Sequence, residues 1–191
     1  MTDREFLILD FLSKVRAATT RQIQNMFFQN VNISISYKVL QGLIDKKYIK
    51  RKYFNIQGKK NSYVYYLDRP PGKKILQHEL LITEFYIRLE KNNFEVISFE
   101  KSPIVAGIVP DAIIEFKGRN TRRTKYIFLE CQLSPHDCIS KYYNIKNNIK
   151  GDNFPSTLYI VTNQEIKNTQ IRGLRIVIDS LDMKKLVFYF S

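Results

Sequence analysis

Cysteine is nearly absent from this chain of 191 residues: only Cys131 and Cys138 occur, too few and too close together for a disulfide framework. Proline and glycine are also scarce, at six and seven, so no long disordered tail is expected. No apolar run approaches the ~20 residues that a membrane-spanning helix requires. The opening MTDREFLILD mixes acidic and basic side chains before its apolar ones, unlike a secretory signal. These absences predict a cytoplasmic protein with no membrane partner. Also missing are a glycine-rich phosphate loop, the HxH motif of a nicking relaxase and the elbow of a serine hydrolase.

Acidic residues are in short supply as well. Lys and Arg number 31 against 18 Asp and Glu, a formal net charge of +13. The imbalance is uneven. Residues 1–69 carry thirteen basic and five acidic side chains, net +8; residues 70–191 carry eighteen and thirteen, net +5. A basic module attracts polyanions, above all nucleic acid, through phosphate contacts and counterion release. The competing explanation is a lysine-rich composition on a merely solvated surface.

The first third of the chain reads as three helices followed by a hairpin. In REFLILDFLSKVR (4–16), Phe6, Leu7, Leu9, Phe11, Leu12 and Val15 recur at helical spacing. Thr19 with Gln22 three residues on forms a capping-box pattern that opens a second, short helix. Ser34 or Ser36 is available to cap a third, with Ile35, Val39, Leu40, Leu43 and Ile44 as its apolar stripe. Two β-rich runs follow, YIKRKYF (48–54) and SYVYYLD (62–68), with Gly58 at the turn between them. This is the order of a winged helix. Arg69-Pro70-Pro71-Gly72 then breaks the pattern, placing the expected domains at 1–69 and 73–191.

In a helix-turn-helix the second helix of the motif presents its N-terminal residues to base edges. Those residues are Ser34, Ser36, Tyr37 and Lys38, with Gln41 one turn on. The hairpin adds Lys50, Arg51 and Lys52 on its first strand and Lys59 and Lys60 at its tip, placed to meet phosphates. Double-stranded DNA is the expected partner. Winged helices also dock proteins, and Tyr53, Phe54, Tyr63 and Tyr65 are expected to pack rather than stack on bases.

Beyond residue 73 the expected order is a long helix (74–92), strands at 94–100, 109–116 and 125–133, a helix at 138–149 and a buried strand at 157–162. A helix near 164–171 and strands in RIVIDS and KLVFYF complete it. The αβββαβ succession is the core of PD-(D/E)XK nuclease-like domains, giving an α+β fold overall. Pro110-Asp111 opens the second strand and Glu130-Cys131-Gln132 lies in the third. Alternation puts Glu130 and Gln132 on one face and Cys131 on the other. Asp111 and Glu130 together suit one Mg²⁺, which would activate a water against a phosphodiester. Glu79 and Glu84 are alternatives for a further carboxylate. Gln132 stands where this fold usually has Lys, so it orients by hydrogen bonds without supplying charge; Lys141 is a possible substitute. The catalytic candidates are therefore Asp111, Glu130 and Gln132. A zinc site from Cys131, His136 and Cys138 matches no known spacing and has no fourth ligand. His78 is expected to be structural.

The winged-helix pattern, His78-Glu79-Leu80, Pro110-Asp111-Ala112, YIFLEC and Lys141-Tyr142-Tyr143 together resemble the replication-relaxation family of plasmid and mobile-element proteins. The likeness runs from about residue 4 to 180. It implies an accessory DNA-binding role in plasmid replication or in a relaxosome at a transfer origin, beside a separate relaxase or replication initiator. A homodimer is a further expected arrangement. Two other readings stay open from the residues: a Mg²⁺-dependent endonuclease, and a transcriptional regulator that dimerises through its second domain.

Overall fold

The computed structural model describes residues 1–55, 62–118, 124–143, 145, 154–166 and 170–190. It is a mixed α+β protein with two separate sheets, and it divides into two compact units, Met1–Arg88 and Leu89–Ser191.

The first unit begins with α1 (Asp3–Val15), whose start is fixed by a capping box. The Thr2 hydroxyl accepts from the Glu5 N–H, and Glu5 Oε2 accepts from the Thr2 N–H at 2.7 Å. A three-residue strand, β1 (Ala17–Thr19), precedes α2 (Thr20–Phe27). Thr19 thus ends a strand and caps a helix at once, with Gln22 completing the box. Next come α3 (Ile33–Asp45), β2 (Lys50–Phe54) and β3 (Ser62–Tyr66). The cap of α3 is Asn32, whose Oδ1 accepts from the Ser34 N–H at 2.9 Å, and not Ser34 or Ser36 as the sequence suggested. The side chain at Ser36 is turned into the core instead. β3 is the centre of an antiparallel sheet ordered β1-β3-β2.

The expected boundary at 69–73 falls inside this unit. Most of the long helix α4 (Leu76–Lys91) belongs to the first unit. Leu76 and Leu80 join Ala17, Phe54 and Val64 in one buried cluster. Gln22 Nε2 donates to the Leu80 carbonyl at 2.8 Å, and the Thr83 hydroxyl donates to the Ala17 carbonyl at 2.7 Å. Phe11 meets Tyr86 with ring centres 5.7 Å apart. The prolines interrupt the backbone pattern without ending the core.

In the second unit, β4 (Glu95–Lys101), β5 (Ala112–Lys117), β6 (Thr124–Gln132), β7 (Thr157–Thr162) and β8 (Arg175–Asp179) form one sheet in sequential order. The first three pair antiparallel, and β6-β7-β8 pair parallel. A register shift between Val96 and Ser98 bends the edge strand β4. The segment expected as a helix at 138–149 shows only a 3₁₀ turn, Ser140–Tyr142, among its described residues. Asp137 Oδ1 accepts there from the N–H groups of Ile139 and Ser140. The described residues near 164–171 form no helix.

KLVFYF, expected as a strand, contains the helix α5 (Leu186–Phe190). Its β-branched and aromatic composition favours a strand, but burial decides. Leu186 and Phe190, four apart, are buried while Phe188 is 84% exposed, the pattern of a one-sided helix. Phe190 packs edge-on to Phe94 and Phe116 and lies 5.5 Å from Tyr159. Among the described residues no helix is long and apolar enough to cross a membrane.

Because α4 completes the first core, a fragment of residues 1–69 is expected to lack a cooperative thermal transition by far-UV circular dichroism. A fragment of residues 1–91 is expected to melt cooperatively. Equal melting of the two would mean that Leu76, Leu80 and Thr83 contribute nothing to that core.

Candidate functional site

Two groups of side chains carry chemistry, one in each unit. In the first, the outer face of α3 exposes Ser34, Tyr37 and Lys38. Ser36 does not join them. It is fully buried, and its hydroxyl donates to the Ile33 carbonyl at 2.7 Å and meets Gln24 Oε1. Serine in a helix interior commonly bonds back to its own backbone in this way. Gln41 is half-buried and donates to Asp45 Oδ1 at 2.7 Å.

On β2, Lys50, Arg51 and Lys52 are all exposed. The Arg51 guanidinium stands 4.6 Å from the Tyr63 ring centre, and the Lys52 ammonium 5.5 Å from that of Phe54. Lys50 Nζ donates to the Asp68 carbonyl at 3.2 Å. Tyr65 is buried beneath, its phenol pushed up by burial against the opposing influence of Thr20 and Arg51. The aromatic residues of the hairpin thus serve as supports: Tyr63 under Arg51, Phe54 and Tyr65 in the core. Tyr53 alone keeps a large exposed surface. Lys59 and Lys60 lie outside the described residues.

The second group gathers at the end of β6. That strand is buried on both sides from Ile127 to Gln132, so Glu130 and Gln132 need internal partners. Glu130 is 4% exposed. Its Oε1 accepts from the Tyr142 hydroxyl at 2.5 Å and lies 2.7 Å from the Lys141 ammonium. Lys141 also donates to the Val109 carbonyl at 2.8 Å. Asp111 is half-buried at the start of β5. Its Oδ2 accepts from the Cys131 N–H at 2.7 Å, and its own N–H donates to the Leu129 carbonyl at 3.1 Å.

These contacts pull in opposite directions on Glu130. Burial first, and then the negative charge of Asp111, push its carboxyl up to about 7. Lys141 and Tyr142 act against that rise without cancelling it. Desolvation therefore outweighs a well-placed ammonium. The Tyr142 phenol is driven far above its ordinary range by burial and by Glu130, so it stays a neutral donor. The Cys138 thiol is pushed up to about 11 by burial and then by Glu130.

Gln132, at the motif position, is engaged by the turn that follows the strand. Its Nε2 donates to the carbonyls of Ser134 and His136, and its Oε1 accepts from Cys138 Sγ at 3.1 Å. The amide holds the turn after β6 through these bonds. Lys141 stands at the Glu130 carboxylate. Tyr142 and the Val109 carbonyl were not legible as partners. The one available signal was the requirement that a buried acid on the inner face of β6 find a donor, which Lys141-Tyr142 supplies.

Cys131, His136 and Cys138 do not converge. Cys131 lies on the face of β6 opposite Gln132, whereas Cys138 bonds Gln132 and His136 is exposed. Of the two helical carboxylates, Glu84 pairs with Arg88 Nε at 3.2 Å, and Glu79 sits half-buried in the first turn of α4, as does His78. Among the described residues no three His, Cys, Asp or Glu side chains cluster as a metal-binding group.

In metal-free buffer the Glu130 carboxyl carbon resonance is expected to titrate near pH 7 and not near its ordinary 4.5. The folded value lies above the unfolded one, so stabilisation from this group is complete at low pH. It is lost as the pH climbs from ~4.5 through ~7. Glu130→Gln should flatten that dependence. Lys141→Met removes a neighbour that favours the ionised form and should move the midpoint higher; a midpoint that stayed put would contradict the ion pair. No family model, curated protein or solved structure matches this chain.

Proposed function

We propose that the protein is a duplex-DNA-binding accessory factor of plasmid mobilisation or replication. On this reading α1–α3 with the β2–β3 hairpin act as a winged helix, and the five-stranded unit is a nuclease-like scaffold. The carrying observation is the exposed face of the first unit. Ser34, Tyr37 and Lys38 stand free on the outer side of α3, and β2 exposes three consecutive cations on a segment of net charge +8. Lys38 and Tyr37 offer donors for base edges, whereas Lys50, Arg51 and Lys52 suit phosphates. The aromatic contacts of Arg51 and Lys52 hold those cations extended and reduce the entropy lost on binding. The plasmid context rests on the family resemblance of the motifs, which supplies a relaxase or replication initiator as the protein partner.

The 191-residue chain is expected to bind duplex DNA with an affinity that falls steeply as salt rises, measured by fluorescence anisotropy. Lys52→Ala should weaken specific and random duplexes alike and reduce the salt slope by about one. Tyr37→Ala or Lys38→Ala should instead erode the preference for a specific site. Salt-independent affinity, or loss of specificity in the Lys52 variant alone, would reverse these assignments.

A second reading, a Mg²⁺-dependent DNA endonuclease, is favoured by one observation: Lys141 brings to Glu130 the positive charge that Gln132 lacks. The carboxylates fit a divalent cation in part. Repulsion between them is what a cation relieves, and when bound it would supply an activated water. The residues' existing engagements argue for grip without cutting. Glu130 is sealed from solvent, its Oε1 is shared by Tyr142 and Lys141, and Asp111 Oδ2 is held by a backbone N–H. Hydrolysis also needs free charge stabilisation at the reacting phosphate. Supercoiled, linear and single-stranded DNA are therefore expected to survive incubation with Mg²⁺ or Mn²⁺. Metal-dependent nicking that disappears in both Asp111→Ala and Lys141→Met would establish the endonuclease.

A further inference from the structure

The parallel strands of the second unit begin together at the end of the sheet opposite to Glu130. Lys125 and Glu130 are five residues apart on β6, about 17 Å in an extended strand. The starting end holds a cleft of about 620 Å³ that none of the chemistry above uses. Lys125 of β6, Thr157 of β7 and Arg175 of β8 line it, with Ser156 before β7 and Tyr189 and Phe190 of α5 as a further wall.

The charge in this cleft is one-sided. Among the described residues two cations line it and no carboxylate does. Among the described residues neither Lys125 nor Arg175 lies within ion-pair distance of an acid. Glu115 is turned to the other face of the sheet, where the Tyr126 hydroxyl meets it. Rings and a carbonyl hold the cations in place. Lys125 Nζ donates to the Phe190 carbonyl at 2.9 Å and stands 5.6 Å from that ring centre; the Arg175 guanidinium lies 5.0 Å from the Tyr189 ring centre. Burial, and then the charge of Arg175, hold the Lys125 ammonium below its ordinary range. Two like charges brought together with no counter-charge among the described residues are destabilising, and a bound anion would relieve them.

We propose that this cleft binds a phosphate group carried by a nucleotide or by a nucleic-acid strand. Arg175 presents the planar fork suited to two phosphate oxygens, and Lys125 adds a point charge. The hydroxyls of Ser156 and Thr157 supply neutral donors at the rim, and Tyr189 gives a base or sugar an aromatic surface. The site belongs to the second unit alone, so it stands or falls independently of duplex binding by the first.

The test uses the full chain, labelled with ¹⁵N and titrated separately with inorganic phosphate, a deoxynucleoside 5′-monophosphate and a ten-nucleotide thymidine strand. Saturable shifts are expected at Lys125, Thr157 and Arg175. Arg175→Gln should weaken binding at least tenfold and Arg175→Lys less, with the near-UV circular dichroism of both unchanged. Tighter binding of the monophosphate than of the strand would identify a nucleotide site; the reverse order would identify a second contact for nucleic acid. Absence of saturable shifts with all three probes, shifts centred elsewhere, or equal affinity in wild type and Arg175→Gln would overturn the proposal. Duplex affinity that survives Arg175→Gln while monophosphate affinity is lost would keep the two sites distinct.

Discussion

The burial of one carboxylate organises much of the second unit. Glu130 sits on the strand that is covered on both sides, so its oxygens cannot be left to water. Satisfying them draws Lys141 and Tyr142 back over the sheet, and Lys141 in turn fixes the strand entry at Val109. Tyr142 brings its ring against Phe128, 5.2 Å away, and extends the apolar cluster that includes Ile139, Leu158 and Ile160. Gln132 completes the closure by tying the intervening turn to the strand end. A polar group that is costly to bury thereby specifies where the chain after β6 must run. Replacement by an apolar side chain would relieve the electrostatic cost and remove that specification.

The first unit solves a different problem. A three-stranded sheet of short strands buries little by itself, and α4 adds Leu76 and Leu80 to the core cluster of Ala17, Phe54 and Val64. The contacts are of two kinds. Leu76 and Leu80 fill space, whereas Gln22 and Thr83 each offer a side-chain polar group to a backbone carbonyl across the interface. The second kind sets the register of the helix, because a slip of one residue would leave buried donors unmatched.

How much of this was legible in the sequence depended on range. Elements whose signal is local were readable: the helix α1, the Thr19–Gln22 box and the β-branched run of β7. The stripe expected on α1 held only in part, since Phe6 and Leu7 are exposed and Ile8 is buried. Alternation along β6 correctly paired Glu130 with Gln132 and turned Cys131 away, because the strand period admits only two faces. What escaped notice depended on contacts distant in sequence. β1 is three residues long and exists only because β3 pairs with it. The role of Leu76 and Leu80 in the first core could not be inferred from Arg69-Pro70-Pro71-Gly72, which reports backbone continuity and not packing. KLVFYF has the composition of a strand, and only the aromatic cluster around Phe94, Phe116 and Tyr159 makes it a helix. At the site, Asp111 and Glu130 were readable as types at motif spacing, but the true employment of Gln132 was not, since it depends on which carbonyls the following turn presents.

The irregularity in β4 has a bearing on assembly. β4 lies at the antiparallel edge of the five-stranded sheet, where unpaired backbone groups would otherwise template a neighbouring chain. The shift between Val96 and Ser98 breaks the even spacing of those groups, and Glu95 and Glu100 stand exposed beside it. Two copies brought edge to edge would align like charges across a ladder that has lost its regular repeat. Both features work against growth of the sheet by strand addition along β4.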